Sequence, residues 1–136
     1  MKAQNKDYEG YEMALREIRN GRKQTHWIWY IFPQMSGLGH SWNSNYYGIK
    51  DLEEAREYVE HPILGERLIE ITEALLALEE TKAEVIMNGY TDARKLKSSM
   101  TLFSIAAPQT EVFEQVLDKL FRRKRDYRTI NMLKDK

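Results

Sequence analysis

Apolar residues recur at intervals of three and four along most of this chain, the spacing that aligns one face of an α-helix. Tyr11, Ala14, Leu15 and Ile18 predict a first helix, closed at Asn20-Gly21 because glycine accepts the left-handed conformation that ends helices. Asp51-x-x-Glu54 opens another with the logic of a capping box, and that helix stops before His61-Pro62. Pro62 suits the first turn of the next, where Leu64, Leu68, Ile71, Leu75 and Leu78 form the most regular stripe in the chain. Ile63, Ile69 and Leu76 widen that stripe, which predicts the central helix of the fold. Thr81-x-x-Glu84 starts a short helix ending at Asn88-Gly89. Thr91 or Asp92 begins a further turn, and Ser98 or Ser99 caps a helix through Met100, Leu102, Phe103 and Ile105 that ends at Pro108. Thr110 caps the last long helix, with Phe113, Val116, Leu117, Leu120 and Phe121 on one face.

One stretch breaks this regularity: His26-Trp27-Ile28-Trp29-Tyr30-Ile31-Phe32-Pro33-Gln34. Its length and its aromatic and β-branched content suit a buried strand. The chain holds no second convincing strand, and a lone strand leaves its backbone groups unpaired. The stretch therefore reads as a short buried helix, with Thr25 as its N-cap and Pro33 as its limit. Met35 to Lys50 reads as an irregular loop, with Gly37 and Gly39 permitting its bends and Trp42, Tyr46 and Tyr47 folding back onto the core. The expected fold is one compact all-α domain of about six to eight helices over residues 8–124, with no significant sheet. Residues 1–7 are expected to form a frayed N-terminus and residues 125–136 a basic C-terminal tail.

Composition narrows this picture. A chain of 136 residues fits one domain with a sizeable core. With no cysteine there are no disulfides, thiol nucleophiles or thiolate metal sites. Met1 to Asp7 lacks the apolar run of a signal peptide, and no apolar stretch approaches the ~20 residues of a membrane span. A cytoplasmic protein without a membrane partner is expected. The net charge of zero hides an asymmetry: eleven acidic residues lie between Asp51 and Glu84, and eight basic ones between Lys119 and Lys136. Complementary helix faces and a solvated tail account for this pattern. Arg122-Arg123-Lys124-Arg125 lacks a helix-turn-helix or stacking platform beside it, so nucleic acid is not an expected partner.

Standard catalytic signatures are missing, including phosphate-cradling glycine loops, a dinucleotide fingerprint, His-Glu-x-x-His and Gly-x-Ser-x-Gly. His26, His40 and His61 lie too far apart in sequence to show metal-ligand spacing, so neither a metal nor a cofactor is expected. Two polar clusters remain. Residues 26–47 hold all three tryptophans and seven of the fifteen aromatic residues. On a helix, His26, Trp29, Tyr30 and Pro33 share a face, which sets an imidazole and a phenol beside an indole. Lys23, Gln34, Ser41 and Tyr46 surround that face. The bland alternative is an aromatic core with His26 capping or hydrogen-bonding inside it. In the second cluster, Asp92, Arg94, Lys95, Lys97, Ser98, Ser99 and Thr101 gather at a predicted helix start, where exposed amides and a cation favour an anion. Ordinary capping with solvated lysines is the bland alternative there.

The blocks Gly21-Arg-Lys-x-x-His26-Trp-x-Trp-Tyr-x-Phe-Pro-Gln34, Gly37-Leu-Gly39, Tyr47-Gly-Ile49, His61-Pro-Ile-Leu-Gly65-x-Arg-Leu68 and Asp92-x-x-Lys95-Leu-x-Ser-Ser-Met-Thr-Leu-Phe103 resemble a bacterial family filed as domain of unknown function 1810. Its members are often labelled calpastatin-like. The resemblance spans roughly Tyr8 to Phe121 and implies a small, mainly helical cytosolic domain without an established activity. The label implies protease inhibition, but calpastatin inhibitory segments are disordered until bound, and this chain has the periodicity of a folded domain.

The expectation that follows is a pocket for a nucleotide-like or phosphorylated small molecule, and a hydrolase is one form it takes. His26 and Asp92 are its acid/base candidates. Lys95, Ser98 and Ser99 are its anion contacts, Trp29 its stacking surface, and Lys23, Tyr30, Gln34, Ser41 and Tyr46 its other contacts. It requires the two clusters to meet. The rivals are a protein-interaction module with an exposed patch of Trp42, Tyr46 and Tyr47, and nucleic-acid contact through the basic run.

Overall fold

In a computed structural model describing residues 1–135, one 3-10 turn (Ala3–Asn5) precedes the helices α1 (Tyr11–Arg19), α2 (Ile28–Ile31) and α3 (Trp42–Tyr46). The chain continues through α4 (Leu52–Glu60), α5 (Leu64–Ala77), α6 (Ala83–Ile86), α7 (Tyr90–Ala106), α8 (Val112–Leu120) and α9 (Tyr127–Lys134). Among the described residues there is no strand, only an isolated bridge between Met35 and Ile49. The all-α fold holds, with nine helices among the described residues in place of six to eight. Among the same residues no helix is long and apolar enough to cross a membrane.

Several ends form where local chemistry predicts. Asn20-Gly21 closes α1, with Gly21 at φ +91°. Asp51 caps α4 by accepting the Glu54 N–H at 2.9 Å. α5 begins two residues beyond Pro62, and His61 does the capping. Its Nδ1 accepts the N–H groups of Ile63 at 3.1 Å and Leu64 at 3.0 Å. The corner between α4 and α5 is tight enough that a Cβ on Gly65 would lie 1.9 Å from the Val59 carbonyl oxygen.

The central helix is α7, where the apolar stripe pointed to α5. α7 packs against α4, α6, α8 and α9 and touches α2, whereas α5 lies to one side against α1, α4 and α8. The segment also runs unbroken from Tyr90, so neither Ser98 nor Ser99 caps anything. From Ser98 to Ser104 every side chain of α7 is buried. Four of those seven residues are Ser or Thr, which read as polar in sequence. The Thr101 and Ser104 hydroxyls donate to the carbonyls of Lys97 and Thr101 within the helix, so their burial leaves those donors satisfied. A helix effectively apolar all round belongs at the centre.

Both expected chain ends and the expected loop need correction. Residues 1–7 are not frayed: Gln4 is buried and its Nε2 donates to the Tyr30 carbonyl at 2.8 Å and the Tyr58 hydroxyl at 3.0 Å. Most of the basic tail is α9, which packs on α7 and buries Thr129, while Lys136 lies outside the described residues. The loop from Met35 to Lys50 contains α3, capped by the Ser41 hydroxyl at 3.1 Å from the Ser44 N–H. Its face carries Trp42 and Tyr46 outward, 69% and 64% exposed, instead of back onto the core.

Candidate functional site

Glu17 organises the connector that leads into the aromatic stretch. Its buried carboxylate accepts from the Gln24 and Thr25 N–H groups at 2.7 and 3.0 Å, the Thr25 hydroxyl at 2.7 Å and the Trp27 indole at 2.9 Å. Burial by itself raises the pKa of this carboxyl, but the four hydrogen bonds outweigh it and hold the group below the usual range. Thr25 is thereby a partner of Glu17 and not the N-cap of α2, which begins at Ile28 after Trp27.

The same connector brings the two sequence clusters together. Lys23 Nζ lies 2.8 Å from Asp92 in the first turn of α7, with the lysine side chain only 5% exposed. Lys95 stands 3.8 Å from the same carboxylate and 5.2 Å from the centre of the Trp29 ring. Asp92 and Lys23 therefore neutralise each other, and Lys95 covers the face of Trp29 proposed for stacking. The Trp29 indole nitrogen is buried and has no partner.

Beside this junction lies a cleft of about 320 Å³ between the Gln34–Ser44 segment, the start of α7 and α9. Three cations line it: Arg94, Lys95 and Arg128. Ser41, Ser44 and Thr91 add hydroxyls, His40 adds an imidazole, and no carboxylate is among the lining side chains. Arg128 is 3.4 Å from Asp126, while Arg94 has no ion pair among the described residues. Gln34 is the unusual member. The residue is only 7% exposed, and its carboxamide, which makes no hydrogen bond among the described residues, keeps its polar atoms accessible from the cleft. Gly39 keeps the floor open: a Cβ there would meet the Ser44 hydroxyl at 2.4 Å and approach Gln34 Nε2 at 3.4 Å.

Of the residues proposed from sequence, Gln34, Ser41 and Lys95 line this cleft. His26 does not; it is exposed outside α2, and its N–H donates to Glu9 at 2.6 Å. The expected helical face of His26 with Trp29 and Tyr30 does not form, because α2 starts two residues after it. Tyr30 donates to the Glu9 carbonyl at 2.8 Å, and burial, reinforced by the Glu9 charge and Tyr47, pushes its phenol up to about 12. Tyr46 lies across α3, away from Ser41 and Ser44. Ser98 donates to Asp126 at 2.7 Å, and Ser99 is buried with no partner. Neither serine reaches the cleft, since both lie two turns inside a helix whose positive end is at Tyr90–Arg94.

Sequence reasoning missed His40, Ser44, Thr91 and Arg128 as lining residues, and it counted Arg94 in the second cluster without giving it a contact. Thr91 was legible as a neighbour of Lys95 one turn from a helix start. Arg128 carried no such signal, since only the docking of α9 brings it to the cleft. Among the described residues no three His, Asp or Glu side chains converge as a metal site requires.

A family model described as "Protein of unknown function (DUF1810)" matches residues 1–133. Among solved structures, the crystal structure of the conserved hypothetical protein Rv1873 from Mycobacterium tuberculosis is similar to this chain. The two are 41% identical, the match covers 91% of this chain and 88% of that one, and the TM-score is 0.88. No curated protein matches the chain.

Proposed function

We propose, from the premise that this chain belongs to the DUF1810 family of proteins of unknown function, that it binds a phosphorylated, nucleotide-like small molecule in the cationic cleft. The observation that carries this reading is a cleft lined by three cations and no acid, into which Gln34 presents an unpartnered, accessible carboxamide. Arg94, Lys95 and Arg128 suit phosphate oxygens, and the start of α7 adds the favourable end of a helix dipole. Gln34 offers one acceptor and a pair of donors, which matches the edge of a base or a sugar hydroxyl pair. Leu38 supplies an apolar wall.

The chemistry at hand is that of binding. His40 is the imidazole of the lining, so proton transfer to a bound ligand falls to it and not to His26 or Asp92. No activated nucleophile stands beside it.

Thermal unfolding and calorimetry with phosphate, pyrophosphate, AMP, ADP, ATP and uncharged adenosine test the reading. A phosphorylated ligand at ~100 times its Kd should stabilise by about 2.7 kcal/mol, and adenosine should do less. The Arg94→Ala/Lys95→Ala double variant should lose the effect and Gln34→Leu should weaken binding about tenfold, while His26→Ala should leave it unchanged. No response to any phosphorylated compound, or a response intact in the double variant, overturns the proposal.

A further inference from the structure

On the other side of α3 lies a second groove, of about 210 Å³, lined by Tyr30, Pro33, Tyr46, Tyr47, Glu54 and Tyr58 among others. Its rings form a ladder. Trp42 stacks on Tyr46 at 4.6 Å and 10°, Tyr46 meets Tyr47 edge-on at 4.9 Å, and Tyr47 meets Tyr30 at 5.0 Å. The outer two rings are mostly exposed, although large aromatic side chains normally bury their area. Helix propensity does not call for them either, since aromatic residues are poor choices on a solvated helix face.

We infer that this groove docks an extended, proline-containing peptide segment bearing arginine or lysine. Strand addition needs a free sheet edge, and the described residues contain no sheet. Grooves walled by tyrosine and tryptophan rings receive the ridged polyproline II conformation, which is already ordered before binding.

Charge selects the rest of the partner. Glu54 lines the groove, Glu57 is exposed one turn further along α4, and neither has an ion pair among the described residues. Both belong to the acidic span between Asp51 and Glu84. Within the chain, Lys6 lies over the Tyr30 ring at 5.8 Å, so a cation on this tyrosine wall has a precedent in the fold itself. A partner cation takes the opposite end, between Tyr46 and Glu54.

The full chain can be tested with three dodecapeptide probes: one alternating arginine and proline, one with glutamate replacing arginine, and one with arginine in a glycine-serine background. Trp42 is the exposed tryptophan, Trp27 being fully buried and Trp29 covered by Lys95, so emission shifts report on the ring stacked against the groove-lining Tyr46. The arginine-proline peptide should shift that emission and bind about tenfold more tightly than either other peptide. Tyr46→Ala and Glu54→Gln alter exposed or half-exposed side chains and should each weaken it, the former by about tenfold. Arg94→Ala/Lys95→Ala should bind it normally, which separates this groove from the cationic cleft. Equal binding of the three peptides, no binding by the arginine-proline one, or full binding by folded Tyr46→Ala overturns the inference.

Discussion

Ser98 and Ser99 are adjacent, equally buried and identical in chemistry, yet they should respond oppositely to the same substitution. Ser98 donates to Asp126, so Ser98→Ala leaves a partly buried carboxylate with one partner fewer and should cost about 1 kcal/mol. Ser99 has no partner, so Ser99→Ala removes an unsatisfied hydroxyl and should be neutral or stabilising by roughly 1 kcal/mol. Urea unfolding of the two variants decides the matter. A fall in stability for both would mean that Ser99 has a partner after all.

Glu17 and Asp126 give the pH dependence its sign. For Asp126, burial raises the pKa, but hydrogen bonds from Thr129 and Ser98, with the Arg128 charge behind them, outweigh it and leave the carboxyl below its usual range. Glu17 is lowered in the same way. A folded pKa below the unfolded one means stability that is complete above the unfolded values of about 3.9 for Asp and 4.3 for Glu. That stability is lost as pH falls through the folded values. Unfolding free energy should therefore drop steeply below about pH 4. Glu17→Gln should flatten that slope while costing roughly 1–2 kcal/mol at pH 7, since an amide oxygen can still accept from Gln24, Thr25 and Trp27 but without the charge that strengthens those hydrogen bonds. An unchanged slope in Glu17→Gln would remove this carboxylate from the account.

At the scale of elements, α9 is fastened through its first residues. Asp126 accepts from Ser98 and Thr129, and its own N–H donates to Thr101 at 3.0 Å, so one residue joins α9 to α7. Asp126→Ala should raise hydrogen exchange along residues 127–134 while leaving α7 protected, and it should weaken ligand binding by loosening Arg128. Exchange unchanged in α9 would mean that its apolar contacts suffice. The corner between α4 and α5 behaves differently. Gly65→Ala has no flexible neighbour to displace, only the backbone carbonyls of Val59 and Tyr58, and should cost roughly 2–3 kcal/mol in thermal or urea unfolding.

For the whole molecule, the first residues act as a clasp. Gln4 joins α2 to α4 through Tyr30 and Tyr58, and Arg67 on α5 reaches Gln4 at 3.3 Å and Asn5 at 3.0 Å. Removing residues 1–7 should lower stability by roughly 2 kcal/mol, read from the midpoint of urea unfolding. A shift within error would return this segment to the frayed end that its polar letters suggested.

The sequence by itself determined the helical class and the helix ends at Asn20-Gly21, Asp51 and His61, and its candidates included Gln34 and Lys95, which line the cleft. Each of these rests on interactions among residues a few positions apart, which spacing and capping chemistry report directly. Tertiary structure decided the rest. It made α7 the centre, because serine and threonine bury once their hydroxyls bond back to the helix, and no hydropathy pattern registers that. It paired Lys23 with Asp92 across 69 positions and so withdrew both from the site. It also carried Arg128 to the cleft and turned Trp42 and Tyr46 outward, since a side chain's partners depend on which surfaces meet. Local letters do not encode that meeting.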